Sequence, residues 1–472
     1  MSEIAKMKSN ISSPTSVNQM YWGGFPNKLF LIMAVVIAVC IYLPFPITKN
    51  GVTEYVQGGL IPNKGFVYFG ILSIFALLFG EIGERIPFWN KYIGGGVVLV
   101  FLLSSFSATY GYIPQYVVKG TKEFYQGNFD FLSLFITILV VGSVLSTDRD
   151  VLIKGSARIV PLIFIGLIGA VAAGSVVGIF FGLSPIEVLL NYILPVMGGG
   201  NGAGAIPMRT MYENATGIAG SGGEWYTKAF VVLTMANILS IIAGSVLRTI
   251  GETKPEWTGN GNILKGSNKE IGIADKKDEK NEKKSNVKLD IINVVFFCGF
   301  IYFISYSFQI IWKEFISPLI GGVSIHAFAW LVILSIVLNV LSLIPENIRT
   351  SAKHVQEAMA KYTIYFSMIA IGFTVSFMDI IDALSIMNLS IALAIVLGSV
   401  IAVMLVAKRF GMQEIESSIA AALCMTNMGG SGDIAVLSAA DRMKLMPFAA
   451  ISSRIGGAIM LIIGSIAFGL FL

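Results

Sequence analysis

Hydrophobic runs long enough to cross, or nearly cross, a bilayer recur eleven times along this 472-residue chain. They lie near 28–46, 65–82, 93–114, 131–147, 158–183, 224–250, 288–312, 318–345, 362–382, 387–408 and 447–472. Two further apolar stretches, 185–215 and 413–445, are interrupted midway by glycine. The first carries "MGGGNGAGAIPM" from Met197 to Met208, and the second carries "NMGGSGD" from Asn427 to Asp433. Polar positions gather in two other places. Residues 1–27 lack a cleavable signal pattern and read as a cytoplasmic tail. Residues 252–287, with "KKDEKNEKKS" at their core, read as a weakly structured, solvated linker between two halves. The pattern predicts an all-α polytopic membrane protein with eleven transmembrane helices and two re-entrant helical hairpins.

The basic residues orient it. Lysine and arginine favour the cytoplasmic side. With the central linker inside, 25 of the 33 basic residues fall inside and seven outside: Lys49, Lys64, Lys119, Lys122, Arg209, Lys228 and Lys313. Arg454 fits neither set. The asymmetry predicts a cytoplasmic N-terminus and an external C-terminus in a bacterial cell (inner) membrane. It also exposes a repeat. After a first helix and loop (28–64), residues 65–251 hold five crossings with hairpin 185–215 between the fourth and fifth. Residues 288–472 hold five more, with hairpin 413–445 at the matching place. The two units run in opposite senses across the membrane. Their interrupted stretches also match: "IEVLLNYILPVMGGGNGAGA" from Ile186 and "IESSIAAALCMTNMGGSGDIA" from Ile415. Inverted repeats with helices broken at corresponding positions are the mark of a secondary transporter with its site at the breaks.

Composition agrees and narrows the choice. The chain is 55% hydrophobic and 13% charged, against about 25% charged in soluble domains. Its net charge of +5 reflects loop lysines and calls for no nucleic acid. Three cysteines in apolar runs and only two histidines suggest neither a disulfide framework nor a metal centre. His326 lies within a span without an evident partner and reads as a core histidine. No nucleophile–base pair stands out, so no enzyme activity and no cofactor are expected.

Glycine-broken backbone persists at membrane depth only where it lines a buried site, because lipid cannot satisfy its N–H and C=O groups. The helix after each loop would aim its positive N-terminal end at the protein centre and favour an anion there. The helix before each loop would end in carbonyls suited to sodium. Arg454, in "SSRIGGA", lies inside an apolar span, so it should face a cavity or a partner. Its planar fork matches a carboxylate; snorkelling, or pairing with Asp433, is the alternative. Asp433 itself reads as a helix-start residue, with a proton carrier as the competing role. Glu81, Glu84, Arg85 and Trp89 read as inner-interface anchors.

The motifs "GGGNGAGAIPM", "NMGGSGDIAVLSAADRM" and "SSRIGGA" make residues 28–472 resemble the 2-hydroxycarboxylate transporter family of bacteria. The resemblance implies carriage of citrate, malate or lactate with sodium or protons, or by exchange. It also implies a homodimer in the lipid bilayer, each protomer moving a transport domain like an elevator. By the same resemblance, Asn201, Gly202, Gly430, Ser431 and Arg454 would contact substrate. Gly199, Asn201 and Asn427 would serve one sodium site. Cys424 (through its carbonyl), Met425, Ser431 and Ser453 would serve another. These are oxygen-donor sets suited to a hard cation. One departure stands out: sodium–citrate carriers are expected to have an arginine just before the second GGSG, where this chain has Met428. Citrate would leave a carboxylate without a partner there, which is costly when buried. Malate, with two carboxylates, is therefore the expected substrate, with sodium as the coupling ion. The competing readings are a malate or citrate exchanger against lactate, and the membrane subunit of a sodium-pumping decarboxylase.

Overall fold

The computed structural model describes residues 21–22, 25–49, 52–62, 64–87, 95–127, 130–145, 156–265, 290–320 and 325–472. Most of the tail, residues 266–289 of the linker, and Trp89 lie outside the described residues. The first half holds α1 (Asn27–Tyr42), α2 (Gly65–Arg85), α3 (Gly95–Thr109), α4 (Gln115–Gln126), α5 (Phe131–Leu145) and α6 (Ser156–Phe180). Then come α7 (Pro185–Val196), a glycine loop, α8 (201–216) and α9 (Ser221–Thr253). The second half holds α10 (Ile291–Ile311), α11 (Ala327–Val340), α12 (Glu346–Gly372), α13 (Phe377–Ala383) and α14 (Ile386–Ala407). It ends with α15 (414–423), a second glycine loop, α16 (Ser431–Ala439) and α17 (446–471).

Among the described residues, six helices are long and apolar enough to cross a membrane, or up to eight if each of two bent pairs counts as one span. Four more apolar helices are shorter: Asn27–Tyr42, Gly96–Thr109, Pro185–Val196 and Ala327–Val340. The described residues thus form an all-α, multi-span membrane protein, in which some of the hydrophobic runs are helices of full spanning length and others are shorter. Hydropathy counts apolar residues whether or not the helix continues through them.

Several segments differ from expectation for identifiable reasons. The run 28–46 stops being helical at Tyr42, because Pro44 and Pro46 cannot continue a helix. Pro44–Lys49 instead pairs antiparallel with Val52–Gln57. The run 362–382 belongs to a helix that starts sixteen residues earlier, at Glu346, and turns by 99° before Phe377. Its charged first turns, "ENIRTSAKHVQEA", hid it from a hydropathy reading. The start of the linker is also structured: α9 runs on to Thr253, Pro255–Trp257 forms a short 3-10 turn, and Leu264 bridges Met412. His326 caps α11, with its Nδ1 accepting from the Phe328 N–H at 3.1 Å and its Nε2 lying 2.9 Å from the Asn214 amide. Arg209, counted with the outside set, is buried on α8.

Two features position the site. α6 and α14 touch backbone to backbone at Gly169 and Gly398, where a Cβ on either would collide with the other's carbonyl. Small residues permit such close crossings between membrane helices. α9 also carries Tyr226, Asn237 and Ser240 along one side. Eleven and fourteen residues are near-whole numbers of turns, about 16 and 21 Å along the axis. That spacing lets one helix hold both glycine loops.

Candidate functional site

The first loop turns at Gly199 and Gly200, with φ of +75° and +113°. A Cβ on Gly200 would lie 2.6 Å from the Met428 carbonyl oxygen, and one on Gly199 would strike the Ser453 carbonyl and Gly457. The second loop turns at Gly429 and Gly430, φ +70° and +42°, and a Cβ on Gly429 would lie 2.9 Å from the Gly199 carbonyl. The two loops and the Ser452–Gly456 turn of α17 thus meet backbone against backbone. Left-handed φ and close approach both require glycine.

Side chains behind the loops hold them in place. The Tyr226 hydroxyl donates to Asn201 Oδ1 at 2.7 Å, and Asn201 Nδ2 points at Met368 Sδ at 3.4 Å. Asn237 Oδ1 accepts from the Met428 N–H at 3.2 Å. The Ser240 and Thr426 hydroxyls lie 2.8 Å apart. Asn427 bridges its own loop: Oδ1 accepts from the Gly429 N–H at 2.6 Å, and Nδ2 donates to Asp433 Oδ1 at 3.0 Å.

The loops open onto a cavity of about 260 Å³, smaller than the roughly 300–1,000 Å³ of drug-sized clefts and suited to a small organic acid. One wall is Gly199 to Ala203, Met428 to Gly430, Asp433, Ser453 and Arg454. The other comes from α3, α5 and α12: Val97, Leu139, Ser143, Gln356, Ala360 and Ile364. α8 and α16 both begin at this cavity, so the positive dipole ends of both helices lie beside it. Arg454 adds a full charge. The carboxylates acting on it are Glu357 and Asp433. The arrangement can hold a carboxylate anion by charge and by helix dipoles together.

Of the residues singled out from sequence, Gly199, Asn201, Gly202, Met428, Gly430, Ser453 and Arg454 line this one cavity. Asn427, Cys424 and Met425 are fully buried behind it. The Asp433 carboxylate lies beside Asn427, Ser453 and Cys424. The side chain of Ser431 lies outside the described residues. Asp433 sits in the first turn of α16, as a helix-start residue would. Sequence reasoning missed Tyr226, Asn237, Ser240 and Gln356. A detectable signal did exist for two of them: Asn237 and Ser240 interrupt the apolar run "FVVLTMANILS", and polar groups inside a span tend to face partners.

The site can be compared with known proteins. The model of the 2-hydroxycarboxylate transporter family matches residues 22–466. The chain belongs to this family. It is 36% identical over 411 residues to a citrate/sodium symporter of Salmonella typhimurium, covering 87% of this chain and 89% of that one. It is 31% identical over 414 residues to a citrate/malate-proton symporter of Bacillus subtilis, covering 86% and 87%. It is 30% identical over 413 residues to a citrate transporter of Leuconostoc mesenteroides, covering 86% and 87%. Both glycine loops and Arg454 fall inside the matched range. A multi-span 2-hydroxycarboxylate transporter accounts for the broken helices and the anion-favouring cavity alike.

Proposed function

We propose that the protein is a sodium-coupled symporter that carries malate in preference to citrate. The observation that carries this reading is the meeting of two glycine loops at one small cavity with Arg454 in its wall. One arginine and two helix N-terminal ends suit a dicarboxylate. Met428, at the lip of the second loop, offers no partner to a third carboxylate. The loops act as re-entrant hairpins in inverted repeats of an eleven-span protein, N-terminus inside and C-terminus outside. They move with α9 and α17 as an elevator-type transport domain of a homodimer. The shared anchoring of both loops on α9, and the packing of the first loop against α17, support such a unit. Sodium is held near Asn201, Asn427, Ser453 and the carbonyl ends of α7 and α15. The kinship with a sodium symporter supports the ion.

A second reading has its own observation. Asp433 is a buried carboxylate lining the cavity, placed as a proton carrier would be, and one relative is a proton symporter. Uptake of labelled malate, citrate and lactate into proteoliposomes separates the readings. Sodium symport predicts malate uptake that rises with external sodium at constant pH. Uptake driven equally by a pH gradient in sodium-free buffer would favour Asp433. Uptake only with an internal counter-substrate would make the protein an exchanger.

A further inference from the structure

We infer that Met368 and Tyr226 are positioning residues for Asn201: together they decide which way round its carboxamide sits. The inference rests on the reading of Asn201 as a ligand of malate and sodium. Asn201 lines the cavity from the first loop and is buried. Its carboxamide has an oxygen with two lone pairs at one end and two N–H donors at the other. The oxygen suits a hard cation such as sodium, and the N–H groups suit a carboxylate. Half a rotation exchanges the two ends at almost no change in shape, so the surroundings must choose between them.

The two neighbours make that choice. The Tyr226 hydroxyl lies 2.7 Å from Asn201 Oδ1, and Met368 Sδ lies 3.4 Å from Asn201 Nδ2 and 3.7 Å from the same hydroxyl. Both residues are buried. A hydroxyl can serve either end of an amide, because it donates and accepts. A thioether accepts weakly and donates nothing, so Met368 can face only the NH2 end. That commits the Tyr226 hydroxyl to donating to Oδ1. One lone pair and one N–H then remain on Asn201.

Packing keeps these groups together. The Tyr226 ring meets Phe101 edge-on and stacks on Phe230. Met368 comes four residues after Ile364, about one turn further along α12. A Cβ on Gly202, the next residue of the first loop, would lie 3.4 Å from Ile364 Cδ1 and 3.2 Å from Leu139 Cδ1. α12 thus rests against the first loop where Met368 meets Asn201. In such apolar surroundings a buried amide end without a partner is unfavourable, which gives a weak N–H···S contact its weight.

The test is a double-mutant cycle on the full chain in proteoliposomes. The sodium concentration for half-maximal malate uptake and the KM for malate are measured in the wild type, Met368→Leu, Asn201→Ala and the double variant. Met368→Leu conserves volume and removes the acceptor. It should raise both values by roughly threefold to tenfold, with a smaller change in maximal rate. Tyr226→Phe should act in the same direction. In the Asn201→Ala background Met368→Leu should add nothing, because its effect passes through the carboxamide. Met368→Ile replaces the Leu variant if the latter does not accumulate folded. A folded Met368 or Tyr226 variant with unchanged sodium and malate dependence would overturn the positioning role and leave the transport reading intact. So would an undiminished effect of Met368→Leu in the Asn201→Ala background. An Asn201→Ala protein with wild-type sodium and malate dependence would overturn both the positioning role and the reading of Asn201 as a ligand.

Discussion

The two glycine loops are alike where they meet the cavity, but the segments that carry them are secured differently at their far ends. Around α7 and α8 the fastening is aromatic and uncharged. The Trp225 indole donates to the Leu190 carbonyl at 3.1 Å, the Tyr192 hydroxyl donates to Asn388 Oδ1 at 2.9 Å, and Ser184 caps the start of α7. Glu213 accepts from the Gly220 N–H at an exposed turn. Around α15 and α16 the fastening is ionic. Glu416 is fully buried, pairs with Arg442 at 3.1 Å, and accepts from Thr258 Oγ1 and from the N–H groups of Gly259 and Gly261. Lys265 reaches Glu414 at 3.5 Å, and the Gln413 N–H donates to the Ile263 carbonyl. Residues 255–265 are therefore a strap that closes the base of the second segment. The lesson is that the loops share a form set by their common task, whereas the anchors follow the local setting.

The largest expected effect breaks this contrast at its ionic end. Glu416→Ala leaves Arg442 buried without its carboxylate and frees three donors, so it should destabilise the detergent-solubilised protein by about 3–5 kcal/mol. Glu213→Ala removes one exposed hydrogen bond and should cost about 1 kcal/mol or less. Thermal unfolding of both variants measures the difference. Equal costs would mean that the strap adds no stability beyond an ordinary turn.

The next contrast lies within the loops. Gly200→Ala would press a methyl group on the Met428 carbonyl and strain a left-handed backbone. That should cost roughly 2–4 kcal/mol and disable uptake. At Gly430 nothing lies within 4 Å of the added Cβ, so Gly430→Ala pays only for its positive φ and should retain more uptake. A Gly200→Ala protein as active as Gly430→Ala would show that the loops do not need their close contact. Arg454→Lys keeps the charge but loses the bidentate fork, so malate should bind about 1–3 kcal/mol more weakly. Unchanged affinity in a folded Arg454→Ala protein would remove Arg454 from the substrate site.

The asparagines sharpen the comparison further. Asn201 is held by a residue of α9, Asn427 by its own loop and Asp433. If both serve sodium, Asn427→Ala should require several-fold more sodium for half-maximal malate uptake, on the scale of one lost polar contact. Asn201→Ala should also weaken malate itself, because Asn201 lines the cavity. A sodium dependence unchanged in folded Asn427→Ala would exclude that side chain from ion binding.

The sequence revealed the parts of this picture that are local. Glycine runs inside apolar stretches, an arginine in a span, and the repetition of Ile-Glu before each loop all lie within short windows, and the glycines and the arginine gather at the cavity. The strap was not legible, because Thr258, Gly259 and Gly261 are ordinary turn residues until Glu416, more than 150 positions later, folds against them. Gln356 was hidden for a related reason. It lies on a polar helix that hydropathy ends before it, and only packing brings that helix to the cavity. The Asn50-Gly51 pair between "PFPITK" and "VTEYVQ" was an available hairpin signal outweighed by the apolar run before it.

The smallest expected effect is a change of preference, and it tests whether the second loop sets the substrate. Met428 lines the cavity at the lip of the second loop, and its backbone N–H is fixed by Asn237. Its side chain is free to change without moving that anchor. Methionine fills uneven space against the body of a dicarboxylate but cannot pair with a third carboxylate. Met428→Arg places a second planar cation near Arg454, able to take a carboxylate in a charge-assisted bond. Citrate should gain on malate by about tenfold, the worth of one such bond after desolvation. The first loop offers the control: Ala203 lines the same cavity on the other side of the contact, and Ala203→Ser, which adds no charge, should leave the ratio unmoved. A second cation facing Arg454 in the empty cavity is unfavourable, so the maximal rate of Met428→Arg should fall even as its preference shifts. The measurement is the ratio of citrate to malate inhibition constants for labelled malate uptake, at one sodium concentration and at a pH where citrate is fully ionised. A wild type that favours citrate, or a folded Met428→Arg protein with an unchanged ratio, would assign substrate choice to the opposite wall instead.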